Sequence, residues 1–190
     1  MEIGRLAARA VIGGLFVGHG TQKLFGWFGG PGLEGTGEMM EALDMKPSRP
    51  NAVAAGLSET VGGALLVAGA ATPLAAASLM GTMITAIRKV HKPNGPWVAQ
   101  GGWEYNAVLV AALLALVDAG PGDVSVDAAL GYDEWGPGWA LGGLALGAAA
   151  SYAAVELGAR GKEPGGLSPS GPEAEAAQGD PAGDPVTTES

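Results

Sequence analysis

Cysteine is absent from this chain, which excludes disulfides, dithiol relays and thiolate-held iron–sulfur clusters at the outset. Charge is scarce as well, since Asp, Glu, Lys and Arg make up 15% of the residues and only two histidines are present. The ten basic residues are outnumbered by nineteen acidic ones and form no cluster of useful size, so a nucleic-acid ligand is not expected. No Gly-rich nucleotide fingerprint follows a strand-like run. A metal held by His19, Glu59 and Glu104 is chemically permissible, but no ligand spacing is diagnostic of one, and no metal is assigned. His19 and His91 stand at different depths in their segments, which argues against a haem held between them.

What the chain has instead is apolar length. Hydrophobic residues make up 47% of it, glycine adds 34 residues, and the charges avoid several long stretches altogether. Crossing roughly 30 Å of hydrocarbon takes about 20 helical residues. Five runs approach that length: about Leu6–Phe28, Ala52–Ala71, Pro73–Val90, Trp103–Ala119 and Trp139–Leu157. "AVLVAALLALV", Ala107 to Val117, is apolar on every side, whereas a helix on a soluble surface needs a polar face. Aromatic residues gather near the run ends, where amphipathic rings settle in a bilayer: Phe25, Trp27 and Phe28, then Trp97, Trp103 and Tyr105, then Tyr132, Trp135 and Trp139. Only "GAATP" separates the second and third runs, so they are expected to form a hairpin with Pro73 opening the new helix. Gly14/Gly18 and Gly143/Gly147 have the small-xxx-small spacing that lets helices approach closely, and leave a homo-oligomer open.

The expected architecture is therefore all-α, an integral membrane four-helix bundle over residues 1–131 with an additional transmembrane helix over 132–160. Residues 161–190 turn to Pro, Gly, Ser and acidic residues and read as a disordered acidic tail. Arg5 and Arg9 ahead of an apolar run resemble a secretory signal, but no small-x-small cleavage site follows and the run leads into His19, Gln22 and Lys23, so it reads as a retained first span. Most of the Lys and Arg residues fall on the side of Lys23, which places the tail in the cytoplasm and the N-terminus outside a cell membrane crossed several times.

Polar residues inside the runs mark the candidate site. His19 and Glu59 lie at similar depth from one surface, and a span carboxylate is costly unless it is protonated, paired or hydrated. Glu59 is thus expected to face the interior, with His19 or Lys23 as partner. Arg88, His91, Glu104 and Asn106 lie toward the same side and are assigned to substrate binding. Each has a plainer alternative: anchoring for His19 and Lys23, a helix–helix hydrogen bond for Glu59, flanking charge for Arg88, Lys89 and Lys92, and first-turn polarity for Glu104 and Asn106. "GPGDVSVD" reads as a tight turn plus cap, with Asp127 or Ser125 satisfying exposed amides.

Four ordered motifs carry a resemblance: "RAVIGGLFVGHGTQKLFGWFGG", "LSETVGGALLVAGAATPLAA", "ITAIRKVH", and "GGWEYNAVLVAALLAL" with "GPGDVSVD". Over about Arg5–Asp127 the chain resembles the DoxX family of small membrane proteins. The resemblance implies a four-helix membrane core. Relatives in that family include the membrane subunit of thiosulfate:quinone oxidoreductase and proteins linked to redox or oxidative stress. The fifth run and the acidic tail extend beyond that core.

Two functional readings follow. In the first, His19, Glu59 and Lys23 are the reacting groups of a quinone pocket, because a histidine–carboxylate pair can both give and take protons near neutral pH. With no cysteine to hold an electron carrier, electrons then come from a partner redox subunit. In the second, the chain is a non-catalytic membrane scaffold that docks a soluble redox enzyme. Passage of a small solute through the core fits the interior carboxylate, but no particular residue favours it.

Overall fold

The structure is a computed structural model that describes residues 2–132 and 135–160; the acidic tail expected over 161–190 lies outside the described residues. Those residues form seven α-helices and no strand. They are α1 (Glu2–Phe25), α2 (Gly32–Ala42), α3 (Ser48–Ala68), α4 (Thr72–Ala86), α5 (Glu104–Ala119), α6 (Val126–Ala129) and α7 (Pro137–Arg160). A π-helical turn, Ile87–His91, extends α4 by a further turn. All five apolar runs are helical, with α1, α3, α4, α5 and α7 in their places. By length and hydropathy only α3 and α7 qualify as helices able to cross a membrane, at mean hydropathies of 1.3 and 1.4. α4 and α5, at 15 and 16 residues, are shorter than the usual crossing length.

α4 is the centre of the fold and packs against α3, α5 and α7; α1 packs on α3 and touches α5 lightly. Its apolar interior is made of Phe16, Leu66, Leu79, Met80, Leu113 and Val117, all nearly inaccessible. Glycine decides how closely the helices lie. A Cβ on Gly13 falls 2.6 Å from the Gly63 carbonyl oxygen, and one on Gly20 falls 2.7 Å from that of Gly56. The two pairs run in opposite order along the chain, so α1 and α3 are antiparallel, in backbone contact at positions seven residues apart. α7 meets α4 by another spacing. Gly143, Gly147 and Ser151 lie on Pro73, Ala77, Gly81 and Thr85 in the same chain order, so these helices are parallel. Gly14 and Gly18, the other small-xxx-small pair, have no neighbouring atom within 4 Å and take no part in packing.

At one end a clasp closes the bundle. α3 stops at Gly69 (φ 63°), where the Gly69 and Ala70 amides return to the Leu66 and Leu65 carbonyls in a Schellman arrangement. The Asp127 carboxylate then accepts from the amides of Ala71 (2.7 Å) and Thr72 (2.9 Å), capping α4, while Ser125 caps α6. Arg9 is 2% exposed. Its guanidinium donates to the Leu66 and Val67 carbonyls at the end of α3 and to those of Pro121 and Val124 in the next loop. The cap expected of Asp127 or Ser125 in "GPGDVSVD" is made by both, on two different helices.

These contacts predict a contrast between glycines that look alike in sequence. Gly63→Ala drives a methyl into the Gly13 carbonyl and the Val17 amide and is expected to cost about 1–3 kcal/mol. Gly14→Ala, facing open space, is expected to be neutral or stabilising by up to about 1 kcal/mol. Thermal unfolding of the two variants in the same detergent checks this.

Candidate functional site

The ends of α1, α4 and α5 opposite the clasp surround a cavity of about 650 Å³. The antiparallel packing of α1 on α3 determines which side chains reach it. Because Gly20 lies against Gly56, and Gly13 against Gly63, the residue level with Glu59 is Val17, and Lys23 stands six residues further along, about 9 Å. Side chains on a helix lean toward its N-terminus, and in antiparallel helices those directions oppose. Lys23 therefore leans down and Glu59 leans up, and the offset closes to a 2.5 Å ion pair between Lys23 Nζ and Glu59 Oε2. Glu59 is 3% exposed, so the carboxylate is removed from solvent with its cation in contact.

His19 is nearer to Glu59 in height but further round the helix. At about 100° per residue it stands about 100° from Gly20, against about 60° for Lys23. It is exposed at the cavity wall, with Nδ1 3.1 Å from the Gln22 carboxamide oxygen of its own helix. Asn106 is buried against the same cavity and donates to the Met83 sulfur at 3.4 Å. His91 reaches the rim, its Nδ1 2.7 Å from the Gly101 carbonyl oxygen. Five of the seven residues singled out in the sequence thus share one cavity.

Arg88 and Glu104 do not line it. Arg88 turns to α7, where it bonds the Ser151 carbonyl at 3.2 Å, approaches Glu156 at 3.5 Å and stands 5.3 Å from the centre of the Tyr152 ring. Glu104 accepts from the Val98 amide at 2.8 Å and organises the loop before α5.

Several lining residues lie outside the long apolar runs. α2 places Met39 and Met40 on the cavity, and Leu43 and Met45 just past its end line it too. Leu33, Thr36, Met40 and Leu43 have the spacing of one helical face, a signal too short to compete with the long runs. Fully buried Thr36 holds α2 in place, its hydroxyl within reach of the Lys23 carbonyl (3.1 Å) and that of Gly32 (2.7 Å). At the far end of α2, exposed Glu41 pairs with Lys46 at 2.8 Å. The hydrogen bond from Lys46 holds the Glu41 carboxyl below the usual carboxylate range and raises the Lys46 ammonium. Among the described residues, no three His, Asp or Glu side chains are grouped to hold a metal ion.

Residues 4–92 match the family model DoxX. This match supports membership of the DoxX family. The match covers α1 to the π-helical turn, and so His19, Lys23, Glu59, Arg88 and His91, while α5 and α7 lie beyond it. No curated protein and no solved structure matches the chain. The DoxX match together with the apolar α3 and α7 supports a membrane protein.

Two outcomes are expected from this geometry. Lys23→Met leaves the Glu59 carboxylate buried without its cation and should cost about 3 kcal/mol, most of it recovered when Glu59→Met is added; a double-mutant cycle on thermal unfolding measures both. A carboxyl lowered by folding contributes stability that is present at neutral pH and lost as pH falls through its folded value. The hold of Glu41 on Lys46 should therefore fail only in acid, below the usual carboxylate range, with faster amide exchange at the α2–α3 junction.

Proposed function

We propose that this DoxX-family chain is a multi-pass protein of the cell membrane whose cavity takes a quinone headgroup, as the membrane component of a redox system in which a partner subunit supplies the electrons. The observation that carries this reading is the Lys23–Glu59 ion pair in the wall of a cavity that is otherwise mostly apolar. In the proposed topology α1, α3, α4 and α5 form the core and α7 is a fifth crossing. The directions of α1 against α3, and of α4 with α7, support it, since serial crossings alternate in sense.

The residues fit such a headgroup. A quinone presents two carbonyl oxygens on a flat apolar ring, and its reduction to a quinol takes up two electrons and two protons. The Lys23 ammonium and the Asn106 amide are donors suited to the carbonyl oxygens, and Phe16, Met83 and Leu109 offer apolar surface to the ring. Glu59 accepts or releases a proton while Lys23 compensates its charge, and exposed His19 passes protons to and from water at the cavity wall.

The test is quinone binding and turnover by the full chain in lipid nanodiscs. The purified protein should quench on titration with a short-chain quinone, Glu59→Gln should weaken that binding about tenfold with helix content unchanged, and quinone reduction should require an added electron-donating partner. If the chain captures such a partner while quinone neither binds nor is reduced, and Glu59→Gln alters nothing, the molecule is the scaffold and the quinone reading fails.

A further inference from the structure

The cavity has a second polar pole, which the quinone reading does not use. Lys89, on the π-helical turn, is partly buried at the cavity margin, and no carboxylate or hydrogen-bond acceptor holds it among the described residues. Its neighbour Arg88 is committed to Glu156, Ser151 and Tyr152 on α7. From Lys89 the cavity continues as a groove floored by α4 and walled by α3 and α7. Thr82 and, beside it on α7, Ala150 line it nearer the cation, with Ser58 on α3, and Ser78, Leu146 and then Leu74 line it further along. Leu74 and Leu146 are 63% and 52% exposed, so this side of the groove is open laterally.

Position along the bundle gives the groove a polarity. Lys89 stands at the end where exposed Phe25, Trp27, Trp97 and Trp103 gather, the level at which aromatic rings meet lipid headgroups. Leu74 lies fifteen residues back along α4, about 22 Å toward the clasp, so a cationic mouth leads into an apolar channel as long as an extended acyl chain. A single cation without a carboxylate at such a mouth is complementary to an anionic group, and basic recesses between membrane helices take anionic lipid headgroups. We propose that this groove is a binding site for an anionic phospholipid, with the phosphate against Lys89 and one acyl chain lying between α3 and α7.

The proposal rests on the membrane reading and not on the quinone. Lys89 serves the lipid and Glu59 the quinone, so Lys89→Gln and Glu59→Gln fail independently. The experiment purifies the full chain, exchanges it into nanodiscs of phosphatidylcholine alone or with a minority of phosphatidylglycerol, and measures retained lipid by native mass spectrometry. Wild type should retain one phosphatidylglycerol in preference to phosphatidylcholine. Lys89→Gln should lower that retention about fivefold, Lys89→Arg should restore it, and Lys92→Gln, outside the groove, should leave it unchanged. Ala54→Phe, filling the groove from α3 without altering charge, should also reduce retention, which keeps the test open if Lys89→Gln does not fold. Equal retention of the two lipids, an equal loss with Lys92→Gln, or release by inorganic phosphate alone would each overturn the site.

Discussion

A carboxylate cannot stay charged in an apolar interior without a cation beside it, and much of the architecture around the cavity follows from satisfying Glu59. Its cation stands on α1, about 9 Å further along the bundle axis. Two conditions bring the charges together. The helices must be antiparallel, so that the lean of each side chain closes the offset, and they must lie close enough for a lysine stem to span the rest. Gly13, Gly20 and Gly63 supply the second condition, because a side chain at any of them would run into the backbone of the facing helix. The glycines therefore matter to the site although none of them lines it.

The two ends of the bundle are built for different ends. At the clasp the buried charged groups are consumed internally, Arg9 by four carbonyls and Asp127 by two amides, and the α3 terminus closes in its own Schellman turn, while the buried Thr72 hydroxyl is left without a partner. Little capacity is left there for a ligand. At the other end Lys89 has no acceptor among the described residues, and α2 lies across the opening, anchored by Thr36 on one side and by Glu41 and Lys46 on the other. A bundle fastened at one end can keep an open cavity at the other without losing its helix register.

The parts of this fold legible in the sequence were those encoded by long, uniform patterns. Five apolar runs are all helical, and "GAATP" is the hairpin expected of it, because length and hydropathy survive any particular packing arrangement. "GPGDVSVD" was legible because cap chemistry is local, although which helix each side chain caps was not: Asp127 reaches back 55 residues to Thr72. Pairing across helices was harder. His19 matched Glu59 in height, yet angle and lean deliver Lys23 instead. Gly14/Gly18 and Gly143/Gly147 have one spacing, but only the second faces a helix, and spacing alone cannot say which face is covered. Arg88 and Glu104 sit at the right end of the bundle, but their partners are on α7 and in the preceding loop, and those contacts take them out of the cavity.

α7 shows how a segment beyond the family match can change a site without supplying its reactive groups. It packs parallel to α4 on Gly143, Gly147 and Ser151, and its acceptors draw Arg88 outward. Arg88 and Lys89 are adjacent on the π-helical turn and point in different directions, and with Arg88 held on α7 it is Lys89 that lines the groove α7 walls. The same helix thus removes one positive charge from the cavity margin and leaves Lys89 as the cation at its mouth. A chain with the same α1 to α4 but no helix in this position would keep the Lys23–Glu59 pair, which depends on α1 and α3 alone, and would lose the wall that turns the Lys89 side of α4 into a groove.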